Sequence, residues 1–139
     1  MKIAVVGSRG IGDYLILEQI WNKLNLGYEG HTIISGAAKG VDQIARKFAL
    51  NHNLGLVEYK ADWDKYGKKA GFIRNKDIIN ECEICIAIWD GESKGTTHDI
   101  RLCKEMKKRL YLYNSKAGKR IIHEYKYDIQ EPDLFEVGK

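Results

Sequence analysis

The chain has one proline and three cysteines among 139 residues. A single proline excludes a collagenous or proline-rich class. Three cysteines are an odd number at irregular spacing, which excludes a disulfide framework and fits a reducing, cytoplasmic compartment. No apolar run approaches the ~18 residues of a membrane-spanning helix, so no membrane partner is expected. The apolar stretch in Met1–Gly7 is too short for a signal peptide. An excess of one charge is also missing. There are 23 basic and 19 acidic side chains, a net +4, which is too little to make nucleic-acid binding the default.

What is present suits one folded domain: 44% hydrophobic residues, 30% charged residues and 14 glycines. The charge is unevenly placed. Residues 1–103 carry 14 basic and 13 acidic groups, residues 104–127 carry 8 and 2, and residues 128–139 carry 1 and 4. A near-neutral body is followed by a basic segment and an acidic tail.

Short apolar runs ending in glycine or polar turns alternate with amphipathic stretches. Strands are expected over Ile3–Val6, Thr32–Ser35, Leu54–Tyr59, Ile84–Trp89 and Leu110–Tyr113. The run Ile84–Trp89 is apolar throughout, as in a strand covered on both faces. A first helix is expected to bury Leu15, Ile16, Ile20, Leu24 and Leu26. A second carries Val41, Ile44, Ala45, Phe48 and Ala49 on one face. Helices are also expected over Phe72–Asn80 and Thr96–Lys108. Ala61–Gly71 reads as a loop, Asp90–Gly95 as a turn, and Lys119–Asp128 as a further strand or edge ribbon. The alternation predicts an α/β, Rossmann-like three-layer sandwich with a mainly parallel sheet of about five strands. Its ligands would bind at the carboxyl ends of the strands. Gly7, Gly36, Gly91 and Gly95 fall just beyond predicted strand ends.

Four segments follow such ends. Gly7-Ser8-Arg9-Gly10-Ile11-Gly12 lacks both the dinucleotide fingerprint and P-loop spacing, which disfavours a dehydrogenase or an ATPase. Its backbone N–H groups, at the start of the next helix, and Arg9 are candidates for holding phosphate; a plain tight turn is the alternative. In Ser35-Gly36-Ala37-Ala38-Lys39-Gly40-Val41-Asp42, small residues leave room for a ligand. Asp42 either contacts it or complements the helix dipole. Between Trp63 and Asn75, aromatics beside cations suit a stacked base and a paired phosphate, or a surface loop. In Trp89–Asp99, Gly95-Thr96 offers a helix N-terminus to an anion. Thr96 and Asp99 have capping-box spacing, so Asp99 either faces a ligand or satisfies backbone amides. His98 alone carries little information. Cys82-x-x-Cys85 lacks a second cysteine pair, so buried thiols are expected rather than a metal or redox centre. No catalytic triad can be read from scattered residues.

Taken in order, Gly7-Ser8-Arg9, Ser35–Asp42, Ala61–Asn75 and Trp89–Thr96 resemble the YspA-like branch of the SLOG superfamily. The likeness runs over about residues 3–113. It implies a Rossmann-like domain over 1–113 that binds nucleotides or ADP-ribose derivatives, with 114–139 as an extension packed on it. Relatives include the LOG phosphoribohydrolases, which cleave the N-glycosidic bond of nucleoside monophosphates, and the DNA-processing protein DprA. The LOG enzymes draw an active Arg and Glu from an arginine–lysine segment and a P-G-G-x-G-T-x-x-E loop. Arg74-Asn75 occupies the first segment here. Asp99 falls at the Glu position, and Trp89-Asp90-Gly91 replaces P-G-G.

The resemblance and the loop residues together give one expectation: a protein binding a nucleotide or ADP-ribose-like small molecule, as a sensor or sequestering module. The expected contacts are Gly7, Ser8, Arg9, Ser35, Gly36, Ala37, Lys39, Asp42, Trp63, Asn75, Asp90, Gly91, Ser93, Gly95, Thr96 and Thr97. The alternative is a phosphoribohydrolase using Arg74 and Asp99 as catalytic residues, since N-glycosidic cleavage develops positive charge that a carboxylate stabilises. A third reading is nucleic-acid binding through 104–127, for which no stacking platform is evident. No metal or cofactor is expected. A homo-oligomer stays open.

Overall fold

The computed structural model describes residues 1–116, 121–125 and 133–136. Chain order is β1 (Lys2–Gly7), α1 (Tyr14–Lys23), β2 (Thr32–Ser35), α2 (Val41–Asn51), β3 (Gly55–Glu58), α3 (Trp63–Tyr66), a 3₁₀ turn (Gly67–Lys69), α4 (Ala70–Glu81), β4 (Ile84–Trp89), α5 (Lys94–Glu105), β5 (Arg109–Asn114), β6 (Ile121–Tyr125) and β7 (Asp133–Glu136). One sheet runs β3-β2-β1-β4-β5-β6-β7. Its first five strands pair in parallel, while β6 and β7 add antiparallel at one edge. The fold is the expected Rossmann-like α/β sandwich, enlarged by that antiparallel edge.

Alternation along β1 explains the three layers. Ile3 and Val5 join one core with Leu17, Ile20 and Trp21 of α1 and Phe48 of α2. Ala4 and Val6 join the opposite core with Ile78 and Ile79 of α4 and Leu102 and Cys103 of α5. The β4 side chains split the same way: Ile84, Ile86 and Ile88 face one core, Cys85 and Ala87 the other. The sheet is therefore covered on both faces, as its continuous apolar strand requires.

Several expectations need correction. Ala61–Gly71 is not a loop: Asp62 accepts a hydrogen bond from the Lys65 N–H and caps α3. The 3₁₀ turn then runs straight into α4, which starts two residues earlier than expected. The turn after β4 is shorter than Asp90–Gly95, because α5 begins at Lys94 and ends at Glu105. In α1 and the residues just after it, Ile20 is buried and Ile16, Leu24 and Leu26 pack against the core as expected; Leu15 is exposed, and Leu17 and Trp21 are buried instead. The strand within Lys119–Asp128 is Ile121–Tyr125; the remaining residues of that span lie outside the described ones.

The strand order reverses direction between β1 and β4. The β1–α1 and β4–α5 connections leave from opposite faces there and open a crevice at the carboxyl end of the sheet.

Candidate functional site

Ser8 holds the crevice together. It is fully buried. Its N–H donates to the Ile88 carbonyl at 3.0 Å, its Oγ accepts from the Asp90 N–H at 3.0 Å, and its carbonyl accepts from Val41 N–H at 3.3 Å. One residue thus ties together β1, the end of β4 and the start of α2. Gly7 makes this closeness feasible, since a Cβ there would run into the Ile88 carbonyl and the Val41 side chain. Gly40 caps α2 with φ at +72°, a conformation that favours glycine.

The 35–42 segment is fixed by two side chains. Asp42 Oδ2 accepts from the Ala38 N–H at 3.1 Å. Arg74 Nη1 donates to the carbonyls of Gly36 and, at 3.2 Å, Tyr59, while its Nε donates to Asn75 Oδ1 at 3.0 Å. A Cβ on Gly36 would lie 2.6 Å from Arg74 Nη1 and 2.9 Å from Asp42 Oδ2, so only glycine fits between them. Ala37 adopts φ of +57°, a strained conformation for a residue with a side chain.

Beyond β4, Asp90 Oδ1 accepts from the N–H groups of Glu92 (2.9 Å) and Ser93 (2.8 Å). These bonds lower the Asp90 pKa and shape a tight turn with Gly91 at φ +85°. Ser93 is the N-cap of α5, but its side chain caps no backbone N–H, and the first turn holds no acid. By contrast, Asp13 caps α1 and bonds the Leu15 N–H at 3.0 Å. That carboxylate already complements the α1 N-terminus, which corrects the expectation of a phosphate cradle there. The N-terminus of α5 is suited to an anion, as is that of α4, which also has no capping side chain and no acid in its first turn.

These segments enclose a cleft of about 330 Å³. Gly7, Arg9 and Gly10 line it from β1–α1, and Ala38 and Asp42 from α2 and its approach. Gly71, Phe72, Arg74, Asn75 and Ile78 come from α4, with Lys68 before it. Asp90, Ser93, Gly95, Thr96 and Asp99 complete it. A second lobe of about 420 Å³ adjoins it and shares Arg9, Ala38 and Arg74. That lobe adds Gly36, Ala37, Lys39, Lys60, Ala61 and Trp63, so its charged lining is wholly cationic. Trp63 and Phe72 are both about half exposed, at 52% and 47%, and leave aromatic surface free at the rim.

Most expected contacts meet here, but Ser8, Ser35, Gly91 and Thr97 do not line either lobe. Ser8 and Ser35 lie beneath the surface, fully buried. Thr97 Oγ1 bonds back to the Ser93 carbonyl at 2.9 Å. Nine lining residues had no place in the expected contact set: Val6, Gly10, Ala38, Lys60, Ala61, Lys68, Gly71, Phe72 and Ile78. Gly71, Arg74, Asn75 and Ile78 fall at i, i+3, i+4 and i+7. That helical face would have been legible had α4 been started at Ala70.

The acids of the cleft divide by environment. Asp99 is 5% exposed, and its Oδ1 has no hydrogen-bond partner among the described residues. The capping-box alternative is therefore overturned: Ser93 is the N-cap, and Asp99 sits in the second turn. Burial, then the charge of Asp42, pushes the Asp99 pKa well above the usual carboxylate range; Arg74 pulls against them. Burial also raises Asp42, opposed by the Ala38 N–H and by Arg74. His98 packs edge-on against Phe72 with ring centroids 4.6 Å apart, and burial followed by nearby Arg101 lowers its pKa.

The three cysteines are free and buried. Burial pushes the Cys82 thiol up to about 12. Among the described residues no group of His, Cys, Asp or Glu is placed to hold a metal ion, and no helix is long and apolar enough to cross a membrane. Cations of the basic segment 104–127 have partners in the fold, among them Lys116, which pairs with Glu92 at 3.3 Å. Lys108 Nζ donates to the carbonyls of Asn80 and Cys82, and Arg109 pairs with Glu124 at 3.5 Å.

Residues 1–66 match the model of the YspA, cpYpsA-related SLOG family. The Gene 61 protein of Mycobacterium phage D29 is 30% identical over 107 residues, covering 72% of this chain and 86% of that protein. The chain belongs to the YspA, cpYpsA-related SLOG family. Its fold is shared by two solved structures. DNA processing protein A of Helicobacter pylori, described for its single-stranded DNA binding mode, superposes with a TM-score of 0.65 and 21% identity, over 92% of this chain and 69% of that one. DprA of Streptococcus pneumoniae gives 0.67 and 19%, over 84% of this chain and 51% of that one. This SLOG chain thus spans about half the length of the pneumococcal protein.

Proposed function

We propose that this SLOG domain binds a nucleotide or an ADP-ribose-derived molecule in the two-lobed cleft, as a sensor or sequestering protein. The observation that carries the reading is the joining of two unlike lobes through Arg9 and Arg74. One lobe is lined by Asp42, Asp90 and Asp99 together with cations, and the other only by cations beside Trp63. A phosphate suits the uncapped N-terminus of α5 with Arg9. A base suits the exposed faces of Phe72 or Trp63. Each lobe falls in the ~300–1,000 Å³ range typical of small-molecule sites. Together they leave room for a ligand with two parts joined by phosphates. Calorimetric titration with AMP, ADP-ribose and cyclic ADP-ribose tests the reading. Saturable binding to at least one supports it, and flat titrations across the set reject it.

Asp99 favours a second reading, N-glycosidic hydrolysis of a nucleoside monophosphate. A carboxyl whose pKa is raised by burial is suited to donate a proton to a departing base. The ionised role expected of Asp99 would then fall to Asp42, the less strongly perturbed acid of the two. Chromatography of the protein incubated with nucleoside monophosphates decides this: release of free base is required, and intact substrate rejects turnover while leaving binding untouched. Single-stranded DNA is a known ligand of the Helicobacter protein. For this chain, a basic lobe beside an exposed tryptophan is what favours DNA. Salt-dependent binding of an oligothymidylate would support DNA over the small ligand.

A further inference from the structure

The amide of Asn75 stands between a guanidinium and an imidazole. Its Oδ1 accepts from Arg74 Nε at 3.0 Å, and its Nδ2 lies 3.4 Å from His98 Nδ1. Arginine carries donors only, so the amide turns its oxygen to Arg74 and its nitrogen to His98. That nitrogen only donates, so His98 Nδ1 must accept. Arg74 thereby dictates the state of the ring: neutral, with its proton on Nε2. The Phe72 ring packs edge-on against the imidazole from the same helix as Asn75. Arg74 and Asn75 line the cleft, and Arg74 lines the second lobe as well; His98 lines neither. Asn75 is 7% exposed, so its amide has little water to replace a lost partner.

A proton on Nδ1 reverses this order. Two donors then face each other, the Nδ1–H and the Asn75 amide. Flipping the amide restores that contact but sets its NH₂ group against Arg74 Nε, another donor. Either way, one bond of the chain from His98 to Arg74 is lost. Burial opposes a positive imidazole most, Arg101 on α5 next, and Lys76 on α4 least, while Glu105 on α5 favours it. The net effect holds the His98 pKa below its ordinary 6.5, so the ring is mainly neutral at pH 7.

We propose that His98 is a positioning residue: its neutral ring locks Asn75 and Arg74 for ligand binding, and its protonation releases them and weakens binding in acid. The effect on affinity rests on the nucleotide-binding reading above; the bonding of the ring does not.

Two measurements on the full chain test this. Nitrogen-15 NMR of the histidine rings at pH 8 reads the tautomer, the His98 signals being those lost in His98→Asn. They should show a neutral ring protonated on Nε2; a proton on Nδ1 overturns the inference whatever the ligand. Calorimetric titration with ADP-ribose between pH 8 and pH 5 reads the affinity. Its pyrophosphate keeps its charge there, whereas the phosphate of AMP titrates at about pH 6. His98→Asn has an acceptor oxygen in place of Nδ1 and no titrating group. It should match wild type at pH 8, and its profile carries the background from Asp42 and Asp99. Wild type should lose about three- to tenfold more affinity than this variant on reaching pH 5. His98→Phe keeps a ring but no acceptor, and should be weaker than wild type at pH 8 by about the same factor. Cooperative melting at each pH excludes unfolding as the cause. Coincident profiles of wild type and His98→Asn overturn the inference and leave nucleotide binding standing, as does full affinity in His98→Phe. Flat titrations with ADP-ribose, AMP and cyclic ADP-ribose alike reject the nucleotide reading and the effect on affinity with it.

Discussion

The charge of Asp42 acts on Asp99 to raise its pKa, with both residues lining one cleft. Burial is the larger cause. The consequence is a pair of acids with divided properties: Asp42 organises the 36–38 backbone, and Asp99 Oδ1 has no hydrogen-bond partner among the described residues.

Asp99 makes stability depend on pH in a direction opposite to that of salt-bridged carboxylates. Its unfolded pKa is near 3.8 and its folded value lies well above that. Between the two, the native state binds more protons than the unfolded chain, so stability falls as pH rises through the window. Asp42, also raised, adds a slope of the same sign. Asp99→Asn should therefore flatten part of the slope and raise stability at pH 7 by about 1–3 kcal/mol, with little change near pH 4. Urea denaturation from pH 4 to 8 measures this. A variant no more stable than wild type at pH 7 would contradict it.

Arg74 joins three places in the chain: the carbonyl of Gly36 after β2, the carbonyl of Tyr59 after β3, and the side chain of Asn75. Lysine cannot reproduce that fork. Arg74→Lys should cost about 1–3 kcal/mol of stability and weaken nucleotide binding together, because the 36–38 backbone forms part of both lobes. Denaturation midpoints and titrations on the same preparation test the pairing. Loss of affinity with an unchanged midpoint would mean that Arg74 acts on the ligand alone.

The parts of this molecule legible from its sequence were those governed by local periodicity. Ile84–Trp89 is a strand at its expected bounds because an unbroken apolar run of that length has few other uses. The helical start at Ala70 was hidden, because Gly67 and Gly71 read as loop residues. Gly67 is in fact the C-cap of α3 at φ +58°, and Gly71 is helical, with the Trp63 ring 3.4 Å from where its Cβ would be. The site was legible as a set of loops after strands. The role of each residue was not, since it depends on partners distant in sequence. Ser8 looked like a ligand contact and is a brace 82 positions from its partner Asp90. Asp99 looked as though it could close a capping box, yet Ser93 had taken the cap position.

The cysteines should be chemically silent. Cys82, Cys85 and Cys103 are each at most 1% exposed, and burial pushes the Cys82 thiol up to about 12, so thiolate is scarce at neutral pH. With Ellman's reagent at pH 8, native protein should release almost no colour in the minutes during which denatured protein reacts fully. Fast reaction of even one native thiol would show that α4 or α5 opens readily from the sheet.

Gly36 is the most constrained point of the cleft wall. A methyl group there would overlap Arg74 Nη1 at 2.6 Å and Asp42 Oδ2 at 2.9 Å. Both atoms are tethered, one to backbone carbonyls and the other to the Ala38 N–H, so neither can retreat without breaking a hydrogen bond. Gly36→Ala should therefore cost about 1–3 kcal/mol through overpacking and lost bonds. Gly10→Ala is the control, because its Cβ would meet nothing within 4 Å. Gly10 lines the same cleft, so the pair separates crowding at the Arg74–Asp42 junction from any general sensitivity of the cleft wall. Thermal melts of the two variants side by side give the answer. Equal melting temperatures would show that Arg74 is held less firmly than its two carbonyl bonds imply.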